Sequence, residues 1–424
     1  MQNILDFIDS CTDSWHTAST IAEVLSKHGY TALDEGDKWN INPGGKYYVM
    51  RNMSSLIAFK IPETELTGFM ISAAHGESPS FKIKAVPELT DKNYVRLNIE
   101  AYGGMILSSW LDRPLSVSGR VTIDTEDGIE THLVRLDRDS LIIPSLAPHL
   151  NRESKDINIL RDMMPMYALS EGSFLDEIAD TLDISEDKIK GFDLMLYNRE
   201  RGRIWGRESE FISAPRLDDL QCVYALLGGF VESDTSSSVQ TFCVFDNEEV
   251  GSGTKQGAKS DFLPSVLRRI CESCNITYSD YMRLLNSSFM VSADNGHAVH
   301  PNRRDMSDSV NYPTIGGGVV IKYNASQRYT TDAVSEAVFK KICDRANIPY
   351  QVYANRSDLP GGSTLGNLAA EKTCINTVDV GLAQLAMHSA YETAGTADTE
   401  YLKCAIREFY NSRIISNGSK YSIH

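Results

Sequence analysis

No cluster of Lys and Arg, no long apolar run and no paired cysteine motif occurs in this 424-residue chain, and each absence removes a class of function. The 41 basic residues are outnumbered by 57 acidic ones, leaving a formal charge of −16. Such a surface repels polyphosphate, and without a local basic patch nucleic acid is not expected as a partner. No window approaches about 18 consecutive apolar residues, so no membrane span is expected. The segment Met1-Gln2-Asn3-Ile4-Leu5-Asp6-Phe7-Ile8-Asp9 carries acids where a signal peptide needs a basic start and an uninterrupted apolar core. Eight cysteines are scattered without regular spacing, which suits reduced thiols in a cytoplasm. Cys271-Glu272-Ser273-Cys274 lacks the second pair that a zinc knuckle needs, and reads as plain helix or loop cysteines. Internal repeats, low-complexity tracts and long linkers are missing as well.

What remains is an ordinary globular composition, 42% hydrophobic and 23% charged, long enough for two or three domains. Ile21, Val24 and Leu25 predict a helix from Thr17 to His28, ended by Gly29. Lys46 to Met50 and Leu56 to Phe59 read as strands. From about Val86 to Glu210 the texture changes to alternating stretches such as Val95 to Glu100 and Val121 to Asp124, expected of half-exposed antiparallel strands. An acidic helical stretch near Asp176 to Asp187 follows. After Ser213 long amphipathic helices return: Leu220, Val223, Tyr224, Leu227 and Phe230 mark one beginning just after Asp218-Asp219, and Val334, Val338, Phe339 and Ile342 another. The flanking parts thus read as one α/β domain, residues 1–85 and 211–424, interrupted by a strand-rich insertion, residues 86–210.

Three short apolar runs each stop at a residue type that binds metal. Gly68 to Ala74 runs into His75, Thr241 to Phe245 into Asp246-Asn247-Glu248-Glu249, and Phe289 to Ala293 into Asp294. In open α/β sheets the ligand sits beyond the carboxyl ends of the strands, so these three runs would aim into one crevice. Adjacent residues leaving a strand point in different directions. One of Glu248 and Glu249 can therefore bind a cation while the other acts as general base; the alternative is an acidic helix start. Asp218 stands at a helix start, where Asp is also an ordinary cap. Glu77, two residues past His75, is placed to accept the other ring N–H of a ligating imidazole. Asp294 is followed closely by His297 and His300, and His388 lies in Gln384-Leu385-Ala386-Met387-His388-Ser389.

These residues, together with Pro43-Gly44-Gly45-Lys46-Tyr47-Tyr48, Asn52 to Phe59, Ala101-Tyr102-Gly103-Gly104, Ser213 to Asp218, Asp246 to Ser252, Ser292-Ala293-Asp294 and His297 to Asn302, resemble the aspartyl aminopeptidase family, which includes vacuolar aminopeptidase I. The resemblance extends over nearly the whole chain. It implies an α/β zinc-peptidase-like domain, a central sheet flanked by helices, with an inserted β-rich dimerisation domain. It makes Asp218 the carboxylate bridging two zinc ions, with His75 and Asp294 completing one ion and Glu249 and His388 the other. Glu248 matches the general base toward a water bridging the ions. His149 matches a histidine reaching the scissile carbonyl from a neighbouring subunit, and His297, Lys322 and Tyr329 match substrate-contacting positions. The implied activity is removal of single residues from peptide N-termini, with Asp or Glu preferred, by a homo-oligomer resembling a tetrahedral dodecamer.

Oxygen and imidazole donors without thiolate suit Zn2+, with Co2+ or Mn2+ as substitutes. Two rivals use the same residues: a dinuclear deacylase or dipeptidase, and an inactive peptide-binding homologue that should have lost ligands. Two positions depart from the family. His75-Gly76-Glu77 stands where His-x-Asp is usual, and Gly361 stands where animal members often carry Cys.

Overall fold

The computed structural model describes residues 3–150, 156–169, 173–234 and 237–424, so Met1, Gln2, two short pieces of the insertion, and Thr235 and Ser236 lie outside the described residues. A nine-stranded mixed sheet forms its centre, in the order Thr31–Leu33, Lys46–Arg51, Ser55–Lys60, Val239–Phe245, Phe69–His75, Phe289–Ala293, Asn376–Gly381, Val319–Tyr323, Tyr350–Ala354. The four strands from Val239–Phe245 to Asn376–Gly381 are mutually parallel, and Phe245 pairs with His75. The three apolar runs read from the sequence are therefore neighbours, and their carboxyl ends open on one side.

These strands are buried along their length and mostly apolar because both faces are covered. Ala58, Met70, Phe242, Val244, Phe289 and Val291 pack on one side with helices Ser14–Lys27, Leu217–Glu232, Ala333–Ala346 and Thr396–Asn411. Phe59, Phe69, Ile71, Phe245 and Met290 pack on the other with Phe262–Ser273, Tyr278–Asn286 and Leu365–Thr373. Each fully buried large side chain contributes about 1.5–3 kcal/mol. The first long helix starts at Ser14 rather than Thr17 because Asp13 caps it, accepting the His16 N–H at 2.9 Å. The acidic stretch is shorter than its charge pattern suggested: the helix ends at Thr181, and a separate 3-10 turn covers Glu186–Lys188.

A second, antiparallel sheet of six strands runs from Ser80 to Asn198 and packs its own core around Phe81, Trp110, Val117, Phe174 and Leu196. A third sheet joins Arg203–Trp205, Phe211–Ala214, Glu392–Gly395, Ala383–Leu385 and Gly296–His297. Small as it is, it supports the approach to Asp218, the loop carrying His388, and His297 itself. Among the described residues no helix is long and apolar enough to cross a membrane.

Candidate metal centre

The carboxyl ends of the parallel strands border a cavity of about 440 Å3 lined by His75, Asp218, Glu248, Glu249, Asp294, His297, Lys322, Tyr329 and His388, among others. Nine of the ten site residues proposed from the sequence thus meet at one place. His149 does not: it sits on an exposed loop of the insertion and is not among the residues lining the cavity. His300, also read from the sequence, is exposed and does not line it.

Asp218 lies at the centre. Its Oδ1 is 3.4 Å from His75 Nε2 and its Oδ2 3.6 Å from His388 Nε2, while His388 Nε2 is 3.3 Å from Glu249 Oε1. Two donors on one tetrahedral zinc, each about 2.0–2.1 Å from the ion, stand about 3.3–3.4 Å apart. The observed separations therefore suit shared cations better than direct hydrogen bonds. Asp218 Oδ1 is buried without a hydrogen-bond partner, an expensive condition for a carboxylate unless a cation satisfies it. Two groups of ligand atoms are close enough to hold an ion each, His75 with Asp218 and Asp294, and Asp218 with Glu249 and His388. A further grouping brings Glu248 beside His75 and Glu249.

The outer supports follow from local geometry. His75 Nδ1 faces the main-chain oxygen of Glu77 at 3.0 Å, and the Glu77 carboxylate stands farther off at 3.6 Å. That carboxylate accepts the Glu249 N–H at 3.1 Å instead. The nearer partner of the imidazole is thus a carbonyl, with the Glu77 carboxylate still within ion-pair reach of the ring. His388 Nδ1 bonds the Gly104 oxygen at 2.5 Å. Gly103, at φ +74, packs so closely on Glu249 that an added Cβ would stand 3.2 Å from the Glu249 Cβ, so both its backbone and its size matter.

Electrostatics reinforce the picture. Burial, with help from Asp294 and Glu249, pushes the Glu248 carboxyl up to about 9, although His75 opposes it. Burial also raises Glu249 and Asp294, against the pull of His388 and Lys322 respectively. Crowded carboxylates that cannot all ionise together call for positive charge between them. Burial alone would lower the Lys322 ammonium, but Asp294 overrides it and holds it above the ordinary lysine value.

The family model for aminopeptidase I zinc metalloproteases (M18) matches residues 7–410. The chain belongs to the M18 aminopeptidase family. It is 44% identical over 422 residues to the probable M18 family aminopeptidase 2 of Clostridium novyi (strain NT), covering 96% of this chain and 98% of that one. Its fold superposes with a TM-score of 0.93 on a chain of the Ape4 and Nbr1 complex, 36% identical, covering 96% of this chain and 84% of that one. It superposes with a TM-score of 0.85 on the mApe1 dodecamer of S. cerevisiae, 26% identical, covering 96% and 95%. As an M18 member the chain is a metallo-aminopeptidase, and the family description supplies zinc as its metal.

Several residues in and behind the cavity wall escaped sequence reasoning. Asn295 donates through Nδ2 to Gln384 Oε1 at 2.6 Å and to the Leu217 oxygen at 3.1 Å. Asp379 fixes one wall, accepting the Thr330 hydroxyl and the Thr364 hydroxyl, each at 2.9 Å. Tyr353 lines the cavity beside His297 and Tyr329. Only Asn295 carried a signal, its place directly after Asp294. At Gly361 a Cβ would stand 2.4 Å from Asn355 Oδ1, so the glycine there lets the Asn355 side chain close over the loop.

Proposed function

We propose that this M18 chain removes single residues from peptide N-termini with two zinc ions in the cavity, favours N-terminal Asp or Glu, and works as a homo-oligomer. The observation that carries the reading is Asp218, whose two oxygens address two different histidines. Asp218 would serve both ions, with His75 and Asp294 holding one and Glu249 and His388 the other. Cobalt or manganese would suit the same donors. Zinc held by these residues would supply Lewis-acid polarisation of the scissile carbonyl and a more acidic attacking water. Glu248, on the cavity wall and outside both ligand sets, takes the proton of that water and passes it to the leaving amine. His297 and Tyr329 contact the substrate. Lys322 stands on the cavity wall, where its ammonium favours an acidic side chain of the substrate.

His149 reaches the carbonyl oxygen from a neighbouring subunit, stabilising the charge that develops there. Its exposure in the single chain supports this, as do exposed apolar side chains beside it and elsewhere in the insertion. Leu146 is 58%, Leu150 74%, Leu160 72% and Leu169 74% accessible, a pattern expected where a partner covers the surface. The insertion, residues 86–210 with its sheet reaching back to Ser80, is accordingly the dimerisation domain of an assembly like the tetrahedral dodecamer. The eight free cysteines support a cytoplasmic location.

Metal analysis combined with turnover on aminoacyl and N-acyl substrates tests the reading. Two zinc ions per chain and cleavage confined to substrates with a free amino terminus are expected. Cleavage of N-acyl substrates alone would mark a deacylase using the same ligands, and one ion per chain would remove the bridging role of Asp218.

A further inference from the structure

Three hydrogen bonds converge on a single buried carboxylate behind the ligand cluster. Glu392 Oε2 accepts the main-chain N–H of Asp218 at 2.9 Å, and Glu392 Oε1 accepts that of His388 at 2.7 Å and the side-chain amide of Gln384 at 3.3 Å. Gln384 Oε1 in turn accepts from Asn295 Nδ2 at 2.6 Å. Asn295 directly follows Asp294, and its carbonyl holds Lys322. One side chain therefore grips the main chain of two ligands and, through two amides, the segment of a third.

Neither Asp218 nor His388 sits on a regular ladder that could place it unaided. Asp218 has φ −83 and ψ 105 and, together with Asp219, departs from helical geometry at the head of Leu217–Glu232, and His388 lies in the left-handed region at φ 65, which non-glycine residues seldom occupy. Both N–H groups are withdrawn from the ordinary backbone pattern and need another acceptor. A glutamate side chain carries two acceptor oxygens, so it can serve three N–H groups at once. A glutamine there would turn an NH2 toward one of them.

We infer that Glu392 is a positioning residue that sets the spacing of Asp218 and His388, and thereby the affinity of the site for its metal ions. The inference rests on the ligand set proposed above. Glu392 is not itself a member of either ligand group, and its oxygens are already taken by the three donors. Supports of this kind are worth about 10–100-fold in metal affinity.

The test is a zinc dissociation constant, obtained by competition with a chromophoric chelator, for the wild type and Glu392→Gln, alongside the melting temperature of each protein stripped of metal. Zinc binding at least about tenfold weaker, with the metal-free melting temperature unchanged, is the expected result. Wild-type zinc affinity in folded Glu392→Gln overturns the inference, as does a loss of affinity matched by a general loss of stability in the stripped protein. Should Glu392→Gln fail to fold, Glu392→Asp keeps the carboxylate but draws its oxygens one methylene back from the Asp218 and His388 N–H groups. Weaker zinc binding by that variant is then expected, and unchanged binding overturns the inference. A wild type that does not bind two zinc ions, or His75→Ala and His388→Ala variants that bind zinc normally, would strike at the ligand set and not at Glu392.

Discussion

The Lys322 ammonium donates to the main-chain oxygen of Asn295 at 2.9 Å. It also stands 3.5 Å from Asp294 Oδ1, so a lysine at the cavity wall serves the segment that carries a prospective metal ligand while keeping donors for a substrate carboxylate. Lys322→Met is expected to lower kcat/KM for Asp-linked substrates at least about tenfold more than for Leu-linked ones, the worth of a charge-assisted contact. Equal losses on both would assign Lys322 to holding Asp294. A wild type that prefers Leu removes the acidic preference altogether.

Glu248 shares the cavity with the ligand atoms but belongs to neither complete pair of groups around Asp218. Glu248→Gln should retain two metal ions per chain and lose at least about 10²-fold in kcat, the scale of a missing general base. Metal content and turnover are measured on the same sample. Near-normal turnover in the fully loaded variant would take Glu248 out of the mechanism.

His149 is exposed and away from the cavity of its own chain. Glu248→Gln and His149→Ala subunits, each inactive alone, should regain part of the activity when mixed, once subunit exchange has been verified by mass spectrometry. Verified mixed oligomers without any activity would place His149 in its own subunit's chemistry or outside catalysis.

Removal of metal leaves Asp218, Glu249 and Asp294 crowded without their countercharge. Chelation should therefore lower the melting temperature, and added zinc should restore it in a concentration-dependent way, by about 2.7 kcal/mol at a hundredfold excess over Kd. Calorimetry with and without chelator measures this. A melting temperature indifferent to chelator and zinc would contradict a native-state site.

Asp193 joins the two sheets electrostatically. Its carboxylate accepts from Lys82 at 2.7 Å and from Arg120 at 2.9 Å, and Arg120 donates onward to the Asn52 oxygen at 3.0 Å in the peptidase part. Burial would raise the Asp193 carboxyl, but Lys82 and Arg120 outweigh it and hold it below the ordinary carboxylate range. A depressed folded value means that the stabilisation is fully present above the unfolded value, about 3.9, and disappears as pH falls through the lower folded one. Asp193→Asn should cost about 1–3 kcal/mol at neutral pH, with the difference from wild type shrinking below about pH 4. Denaturation midpoints across pH check this, and a difference that persists unchanged into strong acid would exclude the carboxylate as its source.

The sequence by itself determined the parallel strands and the chemistry at their ends. Phe69–His75, Val239–Phe245 and Phe289–Ala293 are buried along their whole length because both faces are covered, so they carry only apolar or small neutral polar side chains and Gln240, and a charged residue can appear only where such a strand stops. That local rule makes His75, Glu248, Glu249 and Asp294 legible in one dimension. His388, Asp218 and His297 became legible through motifs, since their own surroundings are turns and a helix start with no strong period. What only the tertiary structure decided is how those irregular segments are held. The third sheet gathers strands from residues 203–214, 296–297 and 383–395, and the hydrogen bonds from Asp218, Gln384 and His388 to Glu392 span up to 174 residues of chain. Side-chain periodicity reports which face of an element is buried. It carries no record of which distant main-chain N–H a buried carboxylate will accept, because that choice is made only when the elements meet.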